Sequence, residues 1–156
     1  MMKRLNLLLL AAVCIGVFAA PRAQALGIMG MWWNSDGLQN GFGIGAKHRI
    51  KVLILSVDGR VGYMRFDDPG VNAIPLEATA QIDISLLYVG AGVGYYILDN
   101  GWKSKPGVSI LGGASLGLGG VGVFGELMYT WVDGEHDTFG SVKPLDGPRI
   151  NLGVKF

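Results

Sequence analysis

Charge is scarce in this chain: 16% of its 156 residues are charged, against about 25% in a typical soluble domain. A soluble fold built from it would be short of polar surface. Cysteine occurs once, at Cys14, inside an apolar N-terminal run. Nothing downstream can form a disulfide, which excludes a disulfide-stapled secreted scaffold. Histidine occurs twice, at His48 and His136, and no cluster of lysine and arginine stands out. The chain therefore lacks the basic footprint of a nucleic-acid binder. Glycine is abundant, 26 residues, but without the period of three that marks a collagen.

The first 25 residues read as a secretory signal. Lys3 and Arg4 precede an apolar stretch from Leu5 to Ala20, and Ala23 and Ala25 supply an A-x-A site, so cleavage is expected after Ala25. The apolar stretch is short for a membrane-spanning helix. Cys14 follows Val13 rather than the small residue of a lipoprotein signal. Loss of Lys3, Arg4 and Arg22 from the 13 basic residues leaves 10 against 12 acidic ones. The domain reading is thus a signal peptide over 1–25 and one domain over 26–156.

Pro106 to Gly125 is twenty residues without a charge, long enough for a transmembrane helix. Eight of the twenty are glycine, which costs a helix about 8 kcal/mol relative to alanine. The period that fits the chain is two. Ile150, Leu152, Val154 and Phe156 alternate with Arg149, Asn151, Gly153 and Lys155. Ile74 to Ile84 alternate with Pro75 to Asp83. Leu53 to Tyr63 alternate with Ile54 to Met64, and Phe42, Ile44, Ala46, His48 and Ile50 with Gly43, Gly45, Lys47 and Arg49. Leu87 to Ile97, Gly107 to Leu118 and Val121 to Val132 add three strands, and Leu26 to Trp33 a first one. In this setting the GxGxxG spacing of Gly117, Gly119 and Gly122 lies on strands, without the following helix a nucleotide site needs. The GxxxG spacings, Gly90 to Gly94 and Gly113 to Gly117, likewise line strand faces.

Eight strands result, and their connections alternate in length. Ser35–Asn40, Asp67–Ala73, Asp99–Pro106 and Asp133–Asp146 are longer and polar, whereas turns near Lys51, Ser85 and Gly119–Gly120 are tight. This is the pattern of an outer-membrane barrel. Glycine shares faces with charge, Gly43 and Gly45 with Lys47 and Arg49, which suits a narrow polar interior better than a wet exterior. Trp32, Trp33, Tyr63, Phe66, Tyr95, Tyr96, Tyr129 and Trp131 fall near the strand ends that lead into the long loops, where an aromatic belt is expected. The belt residues proper are Trp32, Tyr63, Tyr95, Tyr129 and Trp131. The fold class expected is all-β, an eight-stranded antiparallel transmembrane β-barrel.

On these features, Leu87 to Tyr96 with its paired glycines and tyrosines, the leader, and the run Ile150 to Phe156, the chain resembles the small outer-membrane β-barrels of OmpA/OmpX-like type over residues 26 to 156. The resemblance implies a Gram-negative outer membrane as the location, with lipid and lipopolysaccharide as surroundings. It also implies that Ile150, Leu152, Val154 and Phe156 form a signal read by the barrel-assembly machinery.

An eight-stranded interior is narrow enough for side chains to fill. The charges expected inward are Lys47, Arg49, Asp58, Arg60, Glu77, Asp83, Glu126, Arg149 and Lys155, nearly balanced in sign, as a paired network should be. Arg60 and Arg149 are within reach of Glu126. No catalytic, metal or cofactor site is expected. His136, beside Glu135 and Asp137 with Ser141 nearby, lacks diagnostic triad spacing and a further ligand for a metal. The acidic positions Asp36, Asp67, Asp68, Asp99, Asp133 and Asp137 read as solvated turns rather than a calcium site. The function expected is a structural or interaction barrel with a closed, charge-filled lumen. The alternatives are a lipid-modifying barrel enzyme of the lipid A deacylase or acyltransferase type, and a narrow pore.

Overall fold

The computed structural model describes residues 24–67, 70–99, 102–104, 106–118, 120–132, 134–136, 140–142 and 146–156. Residues 1–23, most of the expected signal peptide over 1–25, lie outside the described residues, as do Asp68, Asp133 and Asp137 of the acidic loops. Strands β1 (Gln24–Ser35), β2 (Gln39–Val52), β3 (Leu55–Phe66), β4 (Asn72–Ile84), β5 (Leu87–Leu98), β7 (Gly107–Leu118), β8 (Val121–Trp131) and β11 (Gly147–Lys155) make the wall. Each pairs antiparallel with its neighbours, and β1 closes on β11 from Gly27↔Lys155 to Trp33↔Arg149. The seam extends one step further through paired backbone bonds between Leu26 and Phe156 of 3.2 and 2.8 Å. Closure leaves no unpaired strand edge in the wall. The eight-stranded closed antiparallel barrel expected from the sequence is therefore present.

The phase of each strand follows its sequence pattern. Along β4, Pro75, Glu77, Thr79 and Gln81 are buried while Leu76, Ala78, Ala80 and Ile82 are exposed. Along β3, Ser56, Asp58 and Arg60 face in, and Val57, Gly59 and Val61 face out. Polar groups thus fill the centre and apolar side chains cover the outside. Large hydrophobics stay uncovered all the way round, from Ile28 and Ile44 through Val93 and Ile110 to Leu127 and Leu152.

Three short connections join strands at one end. Two are turns at Leu53–Ile54 and Ser85–Leu86, between the pairs Val52↔Leu55 and Ile84↔Leu87, and the third includes Gly120 and links Leu118 to Val121. The first lies two residues beyond the expected place near Lys51, because β2 runs to Val52; Leu53, expected in a strand, is in the turn. Its φ is 58°, and that of Ser85 is 59°, a left-handed conformation that non-glycine residues adopt at a cost. A turn at Ser85 was expected without any turn signature in Ile84 to Leu87. The register of β4 against β5 enforces it.

Most other departures lie at the opposite, loop end. Ser35–Asn40, expected as a long polar loop, is a three-residue connection between Ser35↔Gln39, and its Leu38 is fully buried. The segments read as plain loops after β5 and β8 carry three short strands, β6 (Trp102–Ser104), β9 (Gly134–His136) and β10 (Gly140–Val142). These form a separate small sheet in the order β10-β9-β6. β1 starts at Gln24 and ends at Ser35, beyond both expected limits. Ile50, expected on the outward face, is buried.

Candidate functional site in the barrel interior

The interior is stacked in tiers along the barrel axis. Nearest the loop end is an apolar layer. Trp33 packs against Phe66 and Tyr96, with ring centroids 5.6 and 5.4 Å away. Met31, Met64, Leu38, Val71 and Val132 belong to the same buried cluster. Leu38, Val71 and Val132 lie outside the strands, so connecting segments fold inward over the mouth. Trp33, Phe66 and Tyr96 were expected at the outer belt. Parity explains the correction: in the neighbouring pairs Trp32–Trp33 and Tyr95–Tyr96 one ring must face in when the other faces out. The five belt residues proper, Trp32, Tyr63, Tyr95, Tyr129 and Trp131, lie on the outward phase, with Tyr129 and Trp131 stacked at 4.8 Å.

Below this layer lies a first ion pair. Arg149, fully buried on β11, donates from both terminal nitrogens to Glu77 of β4 at 2.8 and 2.6 Å, and Tyr96 Oη donates to the same carboxylate at 2.8 Å. Arg149 was expected to reach Glu126; its carboxylate is instead Glu77. The next tier centres on Glu126 of β8. Lys47 Nζ approaches it at 2.6 Å, Arg60 Nη1 at 2.7 Å, Tyr88 Oη at 2.8 Å and Asn151 Nδ2 at 3.2 Å. Met128 joins the tiers, its Sδ accepting from Arg149 at 2.9 Å, Asn151 at 3.2 Å and Arg60 at 3.3 Å.

A third tier surrounds Asp58 of β3. Arg49 holds it in a forked pair at 2.7 and 2.9 Å, Arg60 Nη2 lies 3.0 Å away and Gln81 Nε2 donates at 2.8 Å. Arg49 also donates to Gln81. Two-point pairing of guanidinium with carboxylate fixes orientation as well as charge. Aromatic rings hold the cations from the side: Lys47 Nζ is 3.5 Å from the Phe124 centroid and the Arg49 guanidinium 4.6 Å from that of Tyr88. Glycine makes room for such rings. A Cβ on Gly113 would come within 2.5 Å of the Tyr88 ring, and one on Gly94 within 2.8 Å of Tyr96 Oη.

At the turn end the interior opens into a cavity of about 380 Å3, lined by Arg49, Lys51, Asp83, Tyr88, Ser115 and Lys155 among others. Asp83 pairs with Lys51 at 2.9 Å. Lys155, expected in the charge network, donates to Ser115 Oγ at 2.8 Å and has no carboxylate within ion-pair distance among the described residues. The assembly positions Ile150, Leu152, Val154 and Phe156 all lie on the exposed outer face. His48 is half-buried on the outward phase of β2. His136 and Ser141 fall in β9 and β10 of the small sheet. The described residues contain no group of three or more His, Cys, Asp or Glu able to hold a metal ion.

The loop-end rim has its own small polar group. Tyr63 Oη donates to Asn72 Oδ1 at 2.8 Å, and Asn72 donates from its backbone N at 2.8 Å and its Nδ2 at 2.5 Å to Asp99. The hydrogen bonds from Asn72 hold the Asp99 carboxyl below its ordinary range. They tie β3, β4 and the end of β5 together at the rim.

No family model matches the chain, and no curated protein matches it either. Several solved structures share its fold, two of them as follows. The crystal structure of Neisserial surface protein A (NspA) superposes with a TM-score of 0.64 at 17% identity, covering 85% of this chain and 94% of that one. Outer membrane protein AlkL, solved by solid-state NMR in DMPC lipid bilayers, superposes with a TM-score of 0.50 at 14% identity, covering 88% and 93%. The likeness is one of fold, the closed eight-stranded barrel of outer-membrane type, and it does not single out the OmpA/OmpX-like barrels among such folds.

Proposed function

We propose that this protein is a small integral outer-membrane β-barrel with a structural or interaction role and a closed, charge-filled lumen. The observation that carries the proposal is the inversion of the wall. Apolar side chains stay uncovered around the whole barrel, while Arg149, Asp58, Glu126 and Asn151 are buried at its centre. Monomeric soluble proteins rarely leave more than a few hundred Å2 of contiguous apolar surface bare. Lipid is the solvent that such a wall matches, and wall strands of 9 to 14 residues are long enough for the roughly 9–11 residues of a tilted spanning strand. Outward Trp131, Tyr129, Tyr95 and Tyr63 at the loop end suit a membrane interface. The loop end is then extracellular and the turn end periplasmic.

In this reading residues 1–25 are a signal peptide cleaved after Ala25. The outward residues meet outer-membrane lipid and lipopolysaccharide, and Ile150, Leu152, Val154 and Phe156 present the strand that the barrel-assembly machinery reads. The lumen is closed from the loop end by Trp33, Phe66, Leu38 and Val71 and filled below by the ion pairs of Glu77, Glu126 and Asp58. No catalytic step is assigned. Mass spectrometry of lipid A with and without the protein tests that: a changed acyl pattern would replace this reading with the lipid-modifying one.

The direct test is cell fractionation with a gel run on unboiled and boiled samples. The proposal expects the protein in the outer-membrane fraction, with an unboiled band that shifts on boiling and an N-terminus at Leu26. A soluble periplasmic product with no shift overturns it.

A further inference from the structure

We infer that the cavity at the turn end is a binding site for a small phosphate-bearing anion, with Lys155 as its principal contact and Lys51 beside it. The cavity measures about 380 Å3, within the roughly 300–1,000 Å3 of small-molecule pockets. Its lining carries three cationic side chains, Arg49, Lys51 and Lys155, against one carboxylate, Asp83. The balance elsewhere in the interior is different: Glu77, Glu126 and Asp58 each meet at least one cation at 2.6 to 2.7 Å.

The surplus can be located. Arg49 is held by Asp58 at 2.7 Å and lies 3.8 Å from Asp83, which pairs with Lys51 at 2.9 Å. Among the described residues, Lys155 has only the neutral hydroxyl of Ser115 as a hydrogen-bond partner. An ammonium has three donors, so this contact leaves donors free to turn into the cavity. Space beside it is built in. Gly117 pairs with Gly122, and a Cβ on Gly122 would come within 2.6 Å of Lys155 Cε, whereas one on Gly117 would meet nothing within 4 Å. Arg49, stacked 4.6 Å over the Tyr88 ring, forms a cationic floor. A phosphate oxygen bound to Lys155 would replace or share the Ser115 hydroxyl, with Lys51 at 43% side-chain exposure free to swing from Asp83.

Phosphate in this place has two sources, a phospholipid headgroup or a soluble phosphate compound. The inference needs only the folded barrel; which compartment the cavity faces rests on the proposed membrane orientation. The test is calorimetric titration of the full folded protein in neutral detergent with inorganic phosphate and, separately, with glycerophosphoglycerol as a lipid headgroup. Saturable 1:1 binding of phosphate points to a soluble ligand, and binding of the glycerol-bearing probe alone points to a lipid. In either case Lys155→Gln should weaken binding at least tenfold, Lys155→Arg should retain it within about threefold, and Arg65→Gln, on the exposed loop-end wall, should leave it unchanged. The gel shift of unboiled against boiled samples reports that each variant is folded. Absence of saturable binding for both probes overturns the inference, as does binding that survives Lys155→Gln or falls equally with Arg65→Gln.

Discussion

Arg60 of β3 and Glu126 of β8 meet across the barrel interior, Nη1 to Oε2 at 2.7 Å and Nη2 to Oε1 at 3.1 Å, with both side chains shut off from solvent. Lys47 shares the same carboxylate at 2.6 Å. Removing one partner of a buried pair leaves a charge without compensation, which costs far more than replacing the whole pair by apolar groups. Glu126→Leu is therefore expected to destabilise the barrel by about 3–5 kcal/mol, and Arg60→Met added to Glu126→Leu to recover part of it. A double-mutant cycle on urea unfolding in lipid vesicles measures this. Additive losses would mean that the two residues do not interact.

Met128 accepts contacts from Arg149, Asn151 and Arg60, but a thioether is a weak acceptor. Each donor also has a carboxylate, Glu77 for Arg149 and Glu126 for the other two. Met128→Leu is close to volume-conserving, so the expected loss is under about 1.5 kcal/mol. A larger loss in the same unfolding assay would assign the sulfur a share of the network's stability.

Leu152 and Val93 are 64% and 60% exposed on the outer wall. If they lie near the bilayer midplane, arginine at either position should cost about 2–4 kcal/mol. Arginine at Leu55, near the turn end, should cost about 0–1 kcal/mol. Equal tolerance at all three positions would argue that the wall does not face lipid.

Ser85 and Leu53 each open a two-residue turn with positive φ. Glycine carries no penalty there, so Ser85→Gly should raise the urea midpoint, by up to about 1 kcal/mol in stability, and Ser85→Val should lower it. The opposite order would mean that the Ser85 side chain contributes more than its backbone strain costs.

Phe156 ends an outward-facing strand and is 53% exposed, so little of its packing depends on the finished barrel. Its deletion should reduce the amount inserted in cells several-fold while refolding into detergent changes little. Equal losses in the two assays would point to packing rather than recognition during assembly.

The wall was legible because period-two alternation survives wherever one face is apolar and the other is not: β4 from Ile74 to Asp83 shows it in sequence as clearly as in burial. The turn at Ser85 left no local trace, since Leu86 and Leu87 continue the apolar run and only pairing across β4 and β5 fixes the bend. Partner choice was equally hidden. Glu77 and Glu126 are both inward acids within reach of arginines, and only the stagger of β11 places Arg149 beside Met128 and toward Glu77. The loop-end apolar layer is hidden in the sequence for a related reason. Composition shows that Trp33, Phe66 and Tyr96 lie near strand ends, but parity decides which rings turn inward. Leu38 sits in a stretch whose polar neighbours, Asp36, Gln39 and Asn40, conceal its burial.

Residues 15–156 contain no cysteine, which allows spin labels to be placed one at a time along β4 in a Cys14→Ala background. The measurement is collision of each label with oxygen, which concentrates in lipid, and with a water-soluble nickel chelate, on protein folded into bilayers. The account predicts a period of two: high oxygen access at Leu76, Ala78, Ala80 and Ile82, and low access to both reagents at Glu77, Thr79 and Gln81. A flat profile, or oxygen maxima at Glu77, Thr79 and Gln81, would contradict an inverted barrel whose apolar wall faces lipid around a closed interior.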